Sequence, residues 1–346
     1  MSALVLNSAI LGQEVPIANV TKALRDLWSD ETGKTRASLI NFAIYSEDAT
    51  SLERNTESLA RLTREHACRS LLILNLPGDH KPQTTAWITA HCQLYEGKRS
   101  VCCEQLSFVI EGGSADQVRS TIFAHLDSDL PLVVWWQGDL TARLDERFLA
   151  VIDGLIIDSS QFADPAKSLR RVLESRNART SRFSLSDLAW MRSHFMRTSL
   201  ATACQNPKVL ANLSNLSRLA IKHAPGRRLS AQMLAAWIGT QLKCRMLSPQ
   251  AMELPGGGRI AIELSEGSPS CPLESLEMSG KDLCIAIKRD PGSCFAHTTQ
   301  SHAGQERDDV MPADFSDDAD LIGEQLSRLG GATRYFEIMP LLLKML

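Results

Sequence analysis

Four side chains able to ligate a metal lie close together late in the sequence: Cys284, Cys294, His297 and His302. A structural zinc ion needs four such groups converging in a tetrahedron, usually as closely spaced ligand pairs. The spacing here matches no standard pair, so the preferred reading is buried strand cysteines beside exposed histidines, with no metal. Cys284 and Cys294 fall on neighbouring predicted strands joined by a tight turn, which makes them the candidate redox pair; their Cα atoms would have to lie within about 7 Å. Gly112-Gly113-Ser114 opens a predicted helix, whose first N–H groups could hold an anion, although a tight strand-to-helix turn explains the same residues. Ser159 and Ser160 follow Asp158 at a predicted strand end without a local histidine to act as base, so they read as an inert, capped strand end. The dinucleotide, Walker, nucleophile-elbow and zincin motifs are all missing from the sequence. No catalytic residue, cofactor or metal site is therefore assigned.

Charge and tryptophan placement carry more information. From Lys167 to Arg197, eight basic residues stand against Glu174 and Asp187, and from Glu306 to Asp320 seven acidic residues stand against Arg307. Such runs are either solvated faces or surfaces for a partner of opposite sign. Two tryptophans end the run Leu130-Pro-Leu-Val-Val-Trp135-Trp136, and Asp187-Leu-Ala-Trp190-Met-Arg192 opens a predicted helix. Adjacent strand residues face opposite ways, so one of Trp135 and Trp136 is expected in the core and the other at an edge or interface. The candidate partner-binding residues are thus Trp135, Trp136, Arg170, Arg171, Arg176, Trp190, Arg192 and Arg197.

The elements that would position these residues form an alternating pattern. Ser38–Tyr45 and Leu71–Leu76 are apolar runs of strand length flanking a helical stretch led by a Thr50/Glu53 capping pair, which reads as one βαβ unit. Trp87–Tyr95 alternates and turns at Glu96-Gly97-Lys98 into Val101–Ile110, a hairpin in the same sheet. A helix follows, capped by Ser114 with Gln117, then strands at Leu130–Trp136 and Leu155–Asp158. Pro165–Arg176 and Asp187–Cys204 are predicted helices, Leu216–Lys222 a strand and Ala231–Leu242 a helix. Short strands separated by turns from Ile260 to Thr298 predict an antiparallel meander. The expected fold is α/β: a mixed-sheet layered N-terminal domain followed by a smaller α+β domain with that meander. The expected divisions are an N-terminal extension (1–35), the α/β domain (36–160), the α+β domain (161–299), an acidic linker (300–316), and a last helix with an apolar tail (317–346).

Bulk properties narrow the class. The chain has 346 residues, 44% hydrophobic and 22% charged, with a net charge of −3, a globular composition without the basic excess of a nucleic-acid binder. The first residues lack a basic n-region, and no apolar run reaches the roughly 20 residues of a membrane span, so neither a signal peptide nor a membrane partner is expected. Nine scattered cysteines, odd in number and without CxxC pairs, suit a reduced, cytoplasmic chain.

Six segments in order, Arg36–Phe42, His66–Ser70, Asp129–Trp136, Asp153–Ser159, Asp187–Arg192 and Ala236–Gly239, resemble the OpcA family, the glucose-6-phosphate dehydrogenase assembly proteins. They span residues 36–239. Two places depart from the family pattern: His66-Ala67-Cys68-Arg69 replaces the frequent His-Pro-Ser-Arg, and Met196 stands where a tryptophan often precedes the arginine. The resemblance implies a protein without a reaction of its own that binds glucose-6-phosphate dehydrogenase and favours its active oligomer in the oxidative pentose phosphate pathway, with thioredoxin as a further partner through redox control. The alternative reading is a sugar-phosphate-binding enzyme or sensor using the Gly112-Gly113 turn or Arg192 and Arg197.

Overall fold

The computed structural model describes residues 11–29, 34–78, 81–95, 99–127, 129–140, 144–177, 183–290, 292–302, 304–313, 317–328 and 333–346. The expected turn Glu96-Gly97-Lys98, the basic residues Arg179 and Arg182, and Gly330-Gly331 lie outside these residues.

The first part of the chain runs β1 (Gln13–Val15), α1 (Val20–Ser29), β2 (Lys34–Arg36), β3 (Ile40–Ser46), α2 (Leu52–Glu65), β4 (Cys68–Leu76), β5 (Gln83–Tyr95), β6 (Arg99–Glu111), α3 (Ala115–Ala124), β7 (Leu132–Trp136), α4 (Glu146–Leu149) and β8 (Gly154–Ile157). It continues with α5 (Pro165–Asn177), β9 (Ser184–Asp187), α6 (Leu188–Met191), α7 (His194–Ala203), α8 (Pro207–Asn212), β10 (Leu216–His223) and α9 (Arg228–Gln241). The remainder is β11 (Arg245–Ser248), β12 (Ala251–Glu253), β13 (Arg259–Glu266), β14 (Leu273–Gly280), β15 (Leu283–Arg289), β16 (Phe295–His302), β17 (Gln305–Pro312), α10 (Asp318–Arg328), α11 (Thr333–Glu337) and α12 (Met339–Met345).

Two compact units result, and the chain passes between them more than once. The first comprises 1–161, 174–186 and 318–330; the second comprises 162–173, 187–317 and 331–346. The final helices are thus divided: α10 belongs to the first unit, α11 and α12 to the second.

In the first unit the sheet order is β1-β5-β6-β4-β3-β7-β8-β9, with β2 paired to β6. Strands β6, β4, β3, β7 and β8 are mutually parallel, and β5 joins β6 as an antiparallel hairpin arm. The apolar run of β3 has both faces covered: Phe42, Ala43, Ile44 and Tyr45 are all fully buried, as a strand inside a parallel sheet requires. Helix α2 follows a single 3-10 turn, Ala49–Ser51, which Asp48 caps by accepting from the Thr50 N–H; the expected Thr50/Glu53 cap is not formed, and Ser51 at the start of α2 makes no side-chain cap bond. Ser114 caps α3 through the Gln117 N–H, as the sequence predicts. On β6, Glu104 is 1% exposed yet fully engaged, held by Arg36, Arg69 and the Trp28 indole. This pairing anchors α1 and β4 to one carboxylate and removes the cost of burying it alone.

The second unit carries an eight-stranded sheet ordered β11-β12-β13-β10-β14-β15-β16-β17. Strands β14 to β17 form the antiparallel meander. The meander does not begin at β13, however, because β10 inserts between β13 and β14, parallel to the former. The acidic stretch expected as a linker over 300–316 is instead largely strand: β17 pairs with β16 from Phe295↔Pro312 to His302↔Gln305. Its charges gave no apolar alternation, because both faces of this edge strand are largely exposed. The helix expected from Asp187 to Cys204 is also broken. Asp187 ends β9, α6 makes one turn, and α7 starts again after Ser193, whose hydroxyl donates to the Trp190 carbonyl at 2.7 Å.

Candidate functional site

A cavity of about 390 Å³ opens at the carboxyl ends of β3, β7 and β8, lined by Ser46, Glu47, Asp48, Ser51, Arg54, Gln137, Gly138, Asp139 and Gln161. Its position follows from topology. Strand β3 is followed in sequence by β4 on one side, while β7 lies on its other side, so the loops leaving β3 and β7 diverge and leave a crevice. Open α/β sheets place ligands at such a switch point.

The lining is acidic and internally bonded. Asp48 accepts from the Thr50 N–H (2.9 Å) and hydroxyl (2.8 Å), and these bonds hold its carboxyl below the ordinary aspartate value. Glu47 accepts from the Tyr45 phenol at 2.6 Å, and the amides of Asn55 and Gln137 bond each other twice, at 2.9 and 2.7 Å. A dinucleotide pyrophosphate at this place requires a glycine-rich turn and free N–H donors at the helix start. Here Ser46-Glu-Asp-Ala-Thr-Ser51 holds no glycine, Asp48 takes the Thr50 N–H, and Glu47, Asp48 and Asp139 outweigh the single positive charge of Arg54. The residues do not fit a phosphate-bearing ligand. The Gly112-Gly113 turn offers no better place. Gly113 is required by packing, since a Cβ there would collide with Ile110 Cγ2 and lie 2.9 Å from Asn75 Oδ1, and Ser114 itself occupies the helix-start donor.

The two tryptophans of β7 are both buried, at 3% and 0% exposure, which corrects the expectation that one of them faces an interface. They do point to opposite faces, but both faces are covered. Trp136 stacks on Tyr45 with ring centroids 3.9 Å apart, meets Phe148 edge-on, and donates from Nε1 to the Asp139 carbonyl at 2.9 Å. It therefore ties the crevice residue Asp139 to the core.

The Asp187–Arg192 segment is also internal. Asp187 caps α6 by accepting from the Ala189 N–H and receives the Tyr335 hydroxyl at 2.8 Å. Trp190 packs edge-on against Tyr335 and carries the Arg197 guanidinium 3.5 Å above its ring. Arg197 donates from Nε to the Ser193 hydroxyl, and burial lowers its pKa to about 9. Arg192 is 2% exposed. The partner-facing roles expected of Trp190, Arg192 and Arg197 thus give way to packing roles: this segment fastens α11 into the second unit. On α5, Lys167, Arg170 and Arg176 are exposed and Arg171 is half-buried, so among the described residues the surface part of the basic stretch lies on this helix.

The redox pair is corrected too. Register sets Cys284 opposite Ser301, whereas Cys294 precedes β16 at its other end. Seven residues at about 3.3 Å each put the two thiols roughly 20 Å apart. The bonded pair is instead Cys92–Cys102, directly opposite on β5 and β6 with Cα atoms 4.1 Å apart. Cys102 is buried and Cys92 exposed. Alternation had separated Cys102 from its neighbour Cys103, correctly, but the cross-strand register that pairs it with Cys92 required the hairpin itself. Burial raises the Cys68 thiol to about 12 and Cys244 to about 11, which makes both inert at neutral pH. Non-reducing peptide mapping is expected to return a Cys92–Cys102 cross-link with Cys284 and Cys294 alkylatable; a Cys284–Cys294 cross-link would contradict this arrangement. Among the described residues, no group of three or more His, Cys, Asp or Glu is placed to hold a metal ion. Among them too, no helix is long and apolar enough to cross a membrane.

Two mixed sheets, with a net acidic crevice whose β3–α2 turn holds no glycine, define a layered α/β protein without a glycine-rich phosphate turn at its switch point. Residues 60–174 match the glucose-6-phosphate dehydrogenase subunit N-terminal domain, and residues 183–339 match the C-terminal domain of the same subunit. The chain belongs to the OpcA family of glucose-6-phosphate dehydrogenase assembly proteins. Curated relatives include the putative OxPP cycle protein OpcA of Nostoc punctiforme, 26% identical over 187 residues, covering 53% of this chain and 39% of that one. The protein of the same description from Synechocystis is 22% identical over 296 residues, covering 75% and 60%. The chain thus spans about half the length of the curated relatives it matches. Among solved structures, the 3-ketoreductase KijD10 of Actinomadura kijaniata aligns at 10% identity with a TM-score of 0.48, over 88% of this chain and 94% of that one. The aldose-aldose oxidoreductase of Caulobacter crescentus aligns at 8% identity with a TM-score of 0.44, over 88% and 95%.

Proposed function

We propose that this chain is a non-catalytic assembly factor that binds glucose-6-phosphate dehydrogenase, promotes its active oligomer and so serves the oxidative pentose phosphate pathway in the cytoplasm. The observation that carries this reading is the match of both family domains, residues 60–174 and 183–339, across most of the chain. The chemistry of the crevice supports it: three carboxylates against the one arginine, Arg54, and a β3–α2 turn without glycine disfavour both a dinucleotide and a sugar phosphate. That same chemistry weighs against the alternative of a sugar-phosphate-binding enzyme or sensor.

Association is steered by the exposed side chains of α5, Arg170 and Arg176 with Arg171 beside them, which attract an acidic patch on the dehydrogenase. Redox control through thioredoxin, if exerted on this chain, acts at Cys92–Cys102, whose Cys92 is exposed. The test is co-elution of purified chain and cognate dehydrogenase in size-exclusion chromatography, with association rates from biolayer interferometry, wild type against the Arg170→Glu/Arg171→Glu variant. Wild type is expected to co-elute and the variant to associate more slowly, most clearly at low salt, where the Debye length exceeds about 10 Å. Absence of co-elution for wild type at every salt concentration would refute binding; equal association rates for the two proteins would place the contact away from α5.

A further inference from the structure

The second unit's sheet ends at β17, and the outer side of that strand is open. β17 is last in the strand order and, among the described residues, pairs with β16 alone. The Ala313 N–H donates to the Cys294 carbonyl at 2.7 Å, so the register continues to a hydrogen-bonded pair at 294 and 313. Alternation along an antiparallel ladder then directs the backbone groups of Gln305, Arg307, Asp309 and Met311 to β16. The N–H and C=O groups of Glu306, Asp308 and Val310 point the other way, off the sheet, with no partner among the described residues. Pro312, next in that alternation, has no N–H to direct outward and ends the row of donors. Unpaired main-chain groups in a row are a template for one more strand.

The side chains of the same three residues select which strand can be added. Glu306, Asp308 and Val310 share one face and all are exposed, and the two carboxylates make no ion pair among the described residues. The basic side chains around them are engaged or remote. His297, opposite Val310, bonds Asp290 at 2.8 Å; Arg307, on the other face, pairs with Asp309 at 2.9 Å; Lys288 stands on β15, beyond His297. Val310 is 57% exposed and lies diagonal to Phe295, 51% exposed, so the Pro312 end of this edge is apolar. An added antiparallel strand sets one residue directly opposite each of the three, about 5.5 Å away between Cα atoms. The complementary sequence has an apolar residue opposite Val310 and lysine or arginine opposite Asp308 and Glu306, each two positions apart. A second copy does not meet this requirement. When the three residues of two β17 strands overlap fully, Asp308 faces Asp308, and like charges directly opposite destabilise a strand pair.

We propose that β17 receives an extended segment of a partner protein as an added antiparallel strand, basic side chains at alternate positions facing Glu306 and Asp308 and an apolar one facing Val310. The inference is read on this edge alone and does not rest on dehydrogenase binding. The probe is the fluorescein-labelled peptide Thr-Thr-Val-Thr-Lys-Thr-Lys-Thr-Thr, titrated with the full chain at low salt and followed by fluorescence anisotropy. It is expected to bind with a Kd below about 1 mM and to weaken as salt rises. A peptide of the same composition with its lysines adjacent puts them on opposite faces, and should bind at least about fivefold more weakly. Glu306→Lys/Asp308→Lys should weaken the first peptide at least about tenfold. Val310→Pro keeps both carboxylates and the bonds to β16 but removes an outward donor, and should weaken it at least about threefold. Circular dichroism checks that each variant is folded. No binding at about 1 mM chain, equal binding of the two peptides, or unchanged binding by either variant would overturn the proposal. Self-association of the chain that Val310→Pro abolishes would also overturn it, because a second copy would then hold the edge.

Discussion

Trp136→Ala is expected to cost about 3–5 kcal/mol, the range for emptying a large aromatic site in a packed core. The side chain has no solvent contact, stacks on Tyr45, meets Phe148 edge-on and satisfies its indole N–H at the Asp139 carbonyl. Its loss leaves a void where β3 and β7 pair and removes the indole donor to the Asp139 carbonyl. Trp136→Phe keeps part of the stack and should cost distinctly less. The measurement is urea denaturation together with amide exchange of β3 and β7, whose protection should fall with the first substitution. A loss below about 1 kcal/mol for Trp136→Ala would show that the site collapses freely, and would return Trp136 to the role of a surface anchor.

The second large effect concerns Asp187 and Tyr335 in the second unit. Tyr335 is 1% exposed, and burial beside the Asp187 carboxylate holds its phenol well above the usual tyrosine range, so it remains a donor. Asp187→Ala removes the cap of α6, about 1 kcal/mol, and orphans that phenol, about 1–3 kcal/mol more. Tyr335→Phe alone removes one charge-assisted bond and should cost about 1.5–3 kcal/mol. The two losses share a partner, so the double variant should be more stable than their sum implies, by about 1–3 kcal/mol in a double-mutant cycle. Additive losses would mean that the 2.8 Å bond contributes nothing to stability.

Much of the first unit was legible from local pattern. The run ending at Tyr45 and that of Leu71–Leu76 could only be strands buried on both faces, and Ser114 named its own helix. Long-range register was not legible. The Cys92–Cys102 pair depends on where β5 meets β6, and β10 enters between β13 and β14 from a distant part of the chain. An exposed acidic edge strand has no apolar alternation to read, so β17 passed for a linker. Trp135, Trp136, Trp190, Arg192 and Arg197 were misplaced for one reason: composition shows unusual residues, but not whether a second layer covers them. Arg197 folds back over the Trp190 ring, and Tyr335 reaches Asp187 from a distant part of the chain; these contacts turn a seeming surface motif into a fastening. The crevice was missed because its signal was negative, a β3–α2 turn without glycine, and it becomes visible only once β3 and β7 are known to be neighbours.

The most direct test of the central claim is the steady-state kinetics of the cognate glucose-6-phosphate dehydrogenase with and without the purified chain. The account predicts a higher kcat/KM for glucose 6-phosphate when the chain is added, saturating as the complex fills, and no reduction of nicotinamide cofactor by the chain alone. Unchanged kinetics at saturating chain, or dehydrogenase activity in the chain by itself, would contradict it.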